Sequence, residues 1–165
     1  MVKLGADIIT RSLEENGVKH VFSHPGGPLL PIYDSLRKSS TVHNILVRHE
    51  GAGSLIAEAY SKTSGHIGVC MSTMGPGAEN MTIGVGTARS DSVPLLTITG
   101  QLSTSVLGRG YQQETDHVGI FRPITKWSTQ VLRTEILAST MKRAYRFDSG
   151  LLRTHLKSSG SLRRS

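Results

Sequence analysis

Glu50 stands directly after the apolar run VHNILV and the pair Arg48–His49, and directly before Gly51, Ala52 and Gly53. A carboxylate that leaves a strand end where a helix begins complements the positive end of the helix dipole and can cap the orphan amides. The glycines beside it favour close approach by another molecule or by backbone. A second cluster, STMGPGAEN (72–80), sets Gly75, Pro76 and Gly77 between a strand end and a helix start. Such a turn either cradles an anion at a helix N-terminus or is purely structural. No lysine followed by serine or threonine closes it, and its spacing is not the dinucleotide fingerprint. His20, His24, His43 and His49 show no metal-ligand spacing and read as surface or turn residues. Cys70 is the single cysteine and sits in the apolar run IGVCM, so it forms no intrachain disulfide and is expected to be a buried thiol.

The elements that must position these residues follow from periodicity. Leu4, Ile8, Ile9 and Leu13 share one helical face, and Gly17 stands where that helix would stop. A short strand over 18–23, a turn at PGGP (25–28) and a helix over 29–38 come next. The rhythm repeats, with a strand over 42–47 and a helix over 50–64, then a strand over 66–72 and a helix over 77–89. A strand over 94–100 runs into a loop, and a strand near 126–132 with a helix over 135–146 completes the pattern. Strands rich in Val, Ile and Leu, separated by helix-length segments, predict an α/β domain: a doubly wound, mainly parallel sheet with helices on both faces. In such sheets ligands sit beyond the carboxyl ends of the strands, so the turns at 24–28, 48–51, 73–77 and 100–114 are expected to share one edge.

The 165 residues suit one domain, placed at 1–145, and no apolar run approaches the roughly 20 residues that span a bilayer. The first residues turn acidic before any secretory pattern forms, so a cytoplasmic setting is expected. Of the net charge of +7, Arg146, Arg153, Lys157, Arg163 and Arg164 against Asp148 carry +4. That basic, Ser-rich segment, 146–165, has Phe147 as its one Phe, Tyr or Trp and no recognisable nucleic-acid motif, which argues against nucleic acid as a partner. It is expected to be a disordered tail, the competing reading being an amphipathic helix over 150–157.

Taken together, FSHPGGPLLPIYDSL, LVRHEGAG, AEAYSKTSG, GVCMSTMGPGAEN, DSVPLLTITGQ and QETDHVGIFRPITKWS closely resemble the acetolactate synthase group of thiamine-diphosphate enzymes, over about Gly5 to Tyr145. The resemblance implies a thiamine-diphosphate-binding fold and the N-terminal pyrimidine-binding domain of a 2-oxoacid decarboxylase or carboligase, in a group that serves branched-chain amino acid biosynthesis. It implies that Glu50 hydrogen-bonds N1′ of the cofactor's aminopyrimidine and favours the imino tautomer whose 4′ nitrogen removes the thiazolium C2 proton. Burial is expected to favour the neutral form of such a carboxyl. Gly26 and Gly27 match the family's turn at the active-site mouth. Gly75, Pro76, Gly77 and Asn80 match the segment beside the pyrimidine, and Gln113 and Lys126 match residues of the active-site lining. Only the pyrimidine end of thiamine diphosphate is expected on this chain, and no FAD. Family chains are much longer, and they hold the diphosphate and its magnesium by a Gly-Asp-Gly motif on a further domain of a neighbouring subunit. That motif does not occur here.

The expected partner is therefore the diphosphate-binding domain of another chain, in a homo- or hetero-oligomer, without which the domain would not turn over. A truncated or frameshifted reading frame is the accompanying expectation. His24 stands where the group has tyrosine, Gly51 where it has glutamine and Gln112 where it has phenylalanine, which puts pyruvate specificity in question. The alternatives are a non-catalytic remnant domain, or one subunit of a split sulfo- or phosphonopyruvate-type decarboxylase or acyltransferase. A phosphate- or nucleotide-binding module built on the Gly-Pro-Gly turn is a third reading.

Overall fold

A computed structural model describes residues 4–148 and 154–158. Helix α1 (Gly5–Glu15) opens the domain, and the positive φ of Gly17 turns the chain after it. Strand β1 (His20–Ser23) leads through a 3-10 turn at Gly27–Leu29 into α2 (Leu30–Leu36), and β2 (His43–Leu46) into α3 (Glu50–Ser64). Strand β3 (Gly68–Ser72) is followed by α4 (Pro76–Asn80) and α5 (Thr82–Ser90), and β4 (Leu95–Thr99) by a long loop and α6 (His117–Phe121). Then come β5 (Trp127–Val131), α7 (Leu137–Asp148) and β6 (Thr154–Ser158).

The strands form one sheet in the order β2-β1-β3-β4-β6-β5, every neighbouring pair parallel. Successive side chains on a strand point to opposite faces, and here both faces are apolar. Val21, Val69, Met71, Leu96 and Ile98 join Ile9, Leu13, Ile32, Leu36 and Met141 in one core, beneath α1, α2 and α7. Phe22, Cys70 and Leu95 join Ala57, Met81, Val85 and Phe121 in the other, beneath α3, α5 and α6. This is the doubly wound α/β layering that the apolar strands predict.

Three boundaries differ from the periodicity. The single helix expected over 77–89 is broken at the buried Met81 into α4 and α5, which lets Asn80 turn toward α3 while Gly84 packs on it. Helix α6 was not expected; its signal is Asp116, whose carboxylate caps the amide of Gly119 at 2.9 Å. The domain boundary expected at Tyr145 falls inside α7. Beyond it Thr154–Ser158 are extended rather than helical, and pair with β4 on one side and β5 on the other. Ladder bonds on both sides give that basic stretch an ordered partner that its own composition cannot announce. The rest of the expected disordered tail lies outside the described residues.

Candidate functional site

The strand order reverses between β1 and β3: the chain leaves β1 for β2 on one side and reaches β3 on the other. Open α/β sheets bind ligands in the crevice at such a switch point, beyond the carboxyl ends of the strands. The turns expected to share this edge do meet there. A Cβ built on Gly26, after β1, would lie 2.3 Å from Thr73 Cβ, after β3. One on Gly75 would lie 2.4 Å from the carbonyl oxygen of Gln113, in the loop after β4. One on Gly77 would lie 3.2 Å from Glu50 Oε1, after β2. Side chains at these glycines would collide with the neighbouring turns, so their absence is what lets the turns touch.

Glu50 is the first residue of α3, but it does not cap the helix. The preceding His49 does so, its Nδ1 accepting the amide of Gly51 at 3.1 Å. The half-buried Glu50 carboxylate instead accepts the side-chain amide of Asn80 on Oε2 at 3.0 Å. One oxygen is thus held, and the other lies beside the bare Cα of Gly77. Gly51 is packed as closely: its Cβ position is 3.0 Å from His49 Nδ1 and 3.1 Å from the Asn80 carbonyl oxygen.

Gly75 adopts φ +57° and ψ −125°, outside the range natural to a side-chain-bearing residue, and its amide donates to Nε2 of the buried His117 at 3.0 Å. Pro76, exposed, starts α4. Gly27 is exposed and opens its 3-10 turn with nothing within 4 Å of its Cβ position. The loop over 100–116 is tied to the sheet by the buried Gln101, whose Nε2 donates to the Thr115 carbonyl oxygen at 3.3 Å. Within it the Glu114 carboxylate accepts the amides of Gly108, Gly110 and Tyr111, and these bonds hold its carboxyl below the usual carboxylate range. Gln113, exposed and at φ +61°, is the loop residue laid against Gly75.

Glu50, Gly26, Gly75, Gly77, Asn80 and Gln113 are therefore brought together. Lys126 is not. It precedes β5, and in an all-parallel sheet the amino end of a strand lies at the edge opposite these turns. Its motif RPITK follows α6 back across the sheet, a path that the linear spacing does not disclose. The residues that sequence reasoning missed are His49 as cap, and His117 and Thr99 behind the Gly75 turn. A histidine just before a glutamate at a helix start could have suggested the first. Nothing local signals the other two, which meet Gly75 from distant segments.

Among the described residues no group of three or more His, Cys, Asp or Glu is placed to hold a metal ion, and no helix is long and apolar enough to cross a membrane. Cys70 is buried, and burial pushes its thiol up to about 12.

Known proteins share this arrangement of sequence. The chain is 45% identical over 141 residues to the "Probable acetolactate synthase large subunit" of Methanocaldococcus jannaschii, covering 86% of this chain and 24% of that protein. It is 43% identical over 141 residues to the "Acetolactate synthase isozyme 3 large subunit" of Escherichia coli K12, covering 86% of this chain and 25% of that protein. The large subunit from Buchnera aphidicola subsp. Schizaphis graminum is 45% identical over the same length, again 25% of that protein. The chain thus spans about a quarter of the length of the curated relatives it matches. Residues 3–120 match the family described as "Thiamine pyrophosphate enzyme, N-terminal TPP binding domain", and it is to this family that the chain belongs.

Proposed function

We propose that this chain is the pyrimidine-binding half of a thiamine-diphosphate-dependent 2-oxoacid decarboxylase or carboligase of the acetolactate synthase kind, with Glu50 as the carboxylate that engages the aminopyrimidine. The observation that carries the reading is the state of the Glu50 carboxylate, with Oε2 held by Asn80 at 3.0 Å and Oε1 beside a glycine. An aminopyrimidine needs a flat crevice and a carboxylic oxygen able to share a proton with a ring nitrogen. The carboxylate oriented by Asn80, beside the glycine turns at the switch point of the sheet, supports this reading.

When bound, the cofactor supplies the nucleophilic carbon and the electron sink for breaking or making the bond next to a carbonyl. The chain's own residues do less, and do it by position. Asn80 fixes one oxygen and so aims the other. Glu50 Oε1 would be the oxygen that shares a proton with a ring nitrogen of the bound cofactor. Gly26, Gly75 and Gly77 let the turns around Glu50 pack closely, and Gln113 with its loop lies against Gly75. Gly27 and Pro76 shape these turns.

The diphosphate and magnesium belong to a second domain carrying a Gly-Asp-Gly motif, so this half is inactive until an oligomeric partner supplies it. Calorimetric titration with thiamine diphosphate and magnesium tests the division of the site. Binding is expected only with the partner chain present, and is expected to be weakened by Glu50→Gln. Tight binding by this chain alone refutes the division, and unchanged turnover of the Glu50→Gln complex refutes the role of Glu50. A complex that forms and binds cofactor yet never turns over a 2-oxoacid marks a non-catalytic remnant instead.

A further inference from the structure

The buried imidazole of His117 has no part in the chemistry proposed above, yet it touches the turn on which that chemistry depends. His117 opens α6 and has 0% exposure, as has Thr99 at the end of β4. Its Nε2 lies 3.0 Å from the Gly75 amide nitrogen, and its Nδ1 3.2 Å from Thr99 Oγ1. A backbone N–H can only donate, so Nε2 carries the lone pair. The proton of the neutral ring is then on Nδ1 and is directed to the Thr99 hydroxyl. The ring thus ties the end of β4 to the first residue of the Gly75–Gly77 turn.

That turn has little slack. Gly75 is at φ +57° with the Gln113 carbonyl oxygen against it, and α4 behind it is only five residues long. At the far end of the same short segment, Gly77 lies against Glu50 Oε1 and Asn80 holds Glu50 Oε2. A displacement at Gly75 has no long helix in which to be absorbed before it reaches Gly77 and Asn80.

We infer that His117 is a positioning residue: by accepting the Gly75 amide on Nε2, it fixes the Gly75–Gly77 turn, and through α4 the Asn80 amide, against the Glu50 carboxylate. Its importance for cofactor binding rests on the proposed role of Glu50, but the geometry it fixes can be measured without cofactor. A histidine that merely fills space would be replaceable by any side chain of similar volume. One that holds an amide requires an acceptor.

Nuclear magnetic resonance of the full chain separates these. In the native protein the Nε2 resonance of His117 is expected in the range of an unprotonated imidazole nitrogen, with scalar coupling to the Gly75 amide. His117→Gln, whose Oε1 can accept where Nε2 does, should keep hydrogen-exchange protection of that amide within about threefold. His117→Leu should lower it about ten- to a hundredfold and move the Asn80 side-chain amide resonances, with the amides of mid-β3 unchanged. Equal protection in the leucine variant overturns the inference, as does equal loss in both variants or a protonated Nε2 in the native chain. If the leucine variant does not fold, Thr99→Val, which frees the ring tautomer, decides: it lowers Gly75 protection if the inference holds and leaves it unchanged if not. Glu50→Gln should leave Gly75 protection as it is, so the proposed function and this inference can fail separately.

Discussion

Asn80, the last residue of α4, donates its side-chain amide to Glu50, the first residue of α3, at 3.0 Å. An asparagine can donate to a carboxylate in either of its protonation states, whereas an aspartate cannot do so when both groups are ionised. Asn80→Asp would set two carboxylates side by side and raise the affinity of the pair for one proton. The folded pair then holds a proton that the unfolded chain has released above about pH 4. Stability of the variant is expected to be nearest to the native protein at acid pH and to fall as pH rises through that range. Asn80→Ala should cost about 1 kcal/mol without that pH dependence. Thermal melts of both variants at pH 4 and pH 7 check this, and parallel pH profiles would contradict it.

Gly77→Ala places a methyl group 2.7 Å from Thr73 Cγ2 and 3.2 Å from Glu50 Oε1. Crowding of this kind in a close-packed region costs about 1–3 kcal/mol. Thr73→Ser removes Cγ2, so the double variant should recover part of the loss, whereas independent sites would add. Urea unfolding of the two single variants and the double variant measures the coupling.

Much of this site was legible because chain pattern and layer geometry agree. The buried alternation at Val69, Cys70 and Met71 fixes β3 in the middle of a two-faced sheet, and a parallel sheet obliges the turns after its strands to share an edge. What was not legible turned on a competing neighbour or on partners distant in sequence. The Glu50 carboxylate looked able to cap α3, but His49, one residue earlier, reaches Gly51 first. Lys126 lay within a recognisable motif, yet the direction of β5 carries it to the far edge. Strand β6 draws its order from β4 and β5, since a basic segment without its own apolar face says nothing of a slot between two strands. Similarly, the break at Met81 belongs to the crossing of α3 and α5, where the Gly84 amide donates to Ser54 Oγ at 3.2 Å.

Glu114 makes the loop over 108–114 sensitive to acid. Its carboxyl is held below the usual range by the amides it accepts, so its folded value lies under its unfolded one. The stabilisation is full above the unfolded value, about 4.3, and is lost as pH falls through the folded value. The Gly108 and Gly110 amides should therefore lose protection in acid before the sheet does. Glu114→Gln should loosen the same amides at neutral pH and abolish their acid transition. Amide exchange across this pH range gives the result, and an unaltered loop in the glutamine variant would rule out the anchoring role.

Cys70 should make the whole fold sensitive to base. Its side chain is buried in β3, with Sγ 3.5 Å from Thr97 Oγ1, and its thiol is pushed up to about 12. An unfolded thiol ionises near about 8.5. Between these values the unfolded chain gives up a proton that the folded one keeps, so stability falls as pH rises through the window. Cys70→Ala should make that slope shallower by the thiol's share, though at some cost in packing at every pH. Since the thiolate is the reactive form, alkylation near pH 8 should proceed only through unfolding, and its rate should rise with urea as the unfolded population does. Labelling of the folded protein at the rate of a free thiol, or an unchanged alkaline slope in the alanine variant, would show that the thiol is not sealed within the sheet.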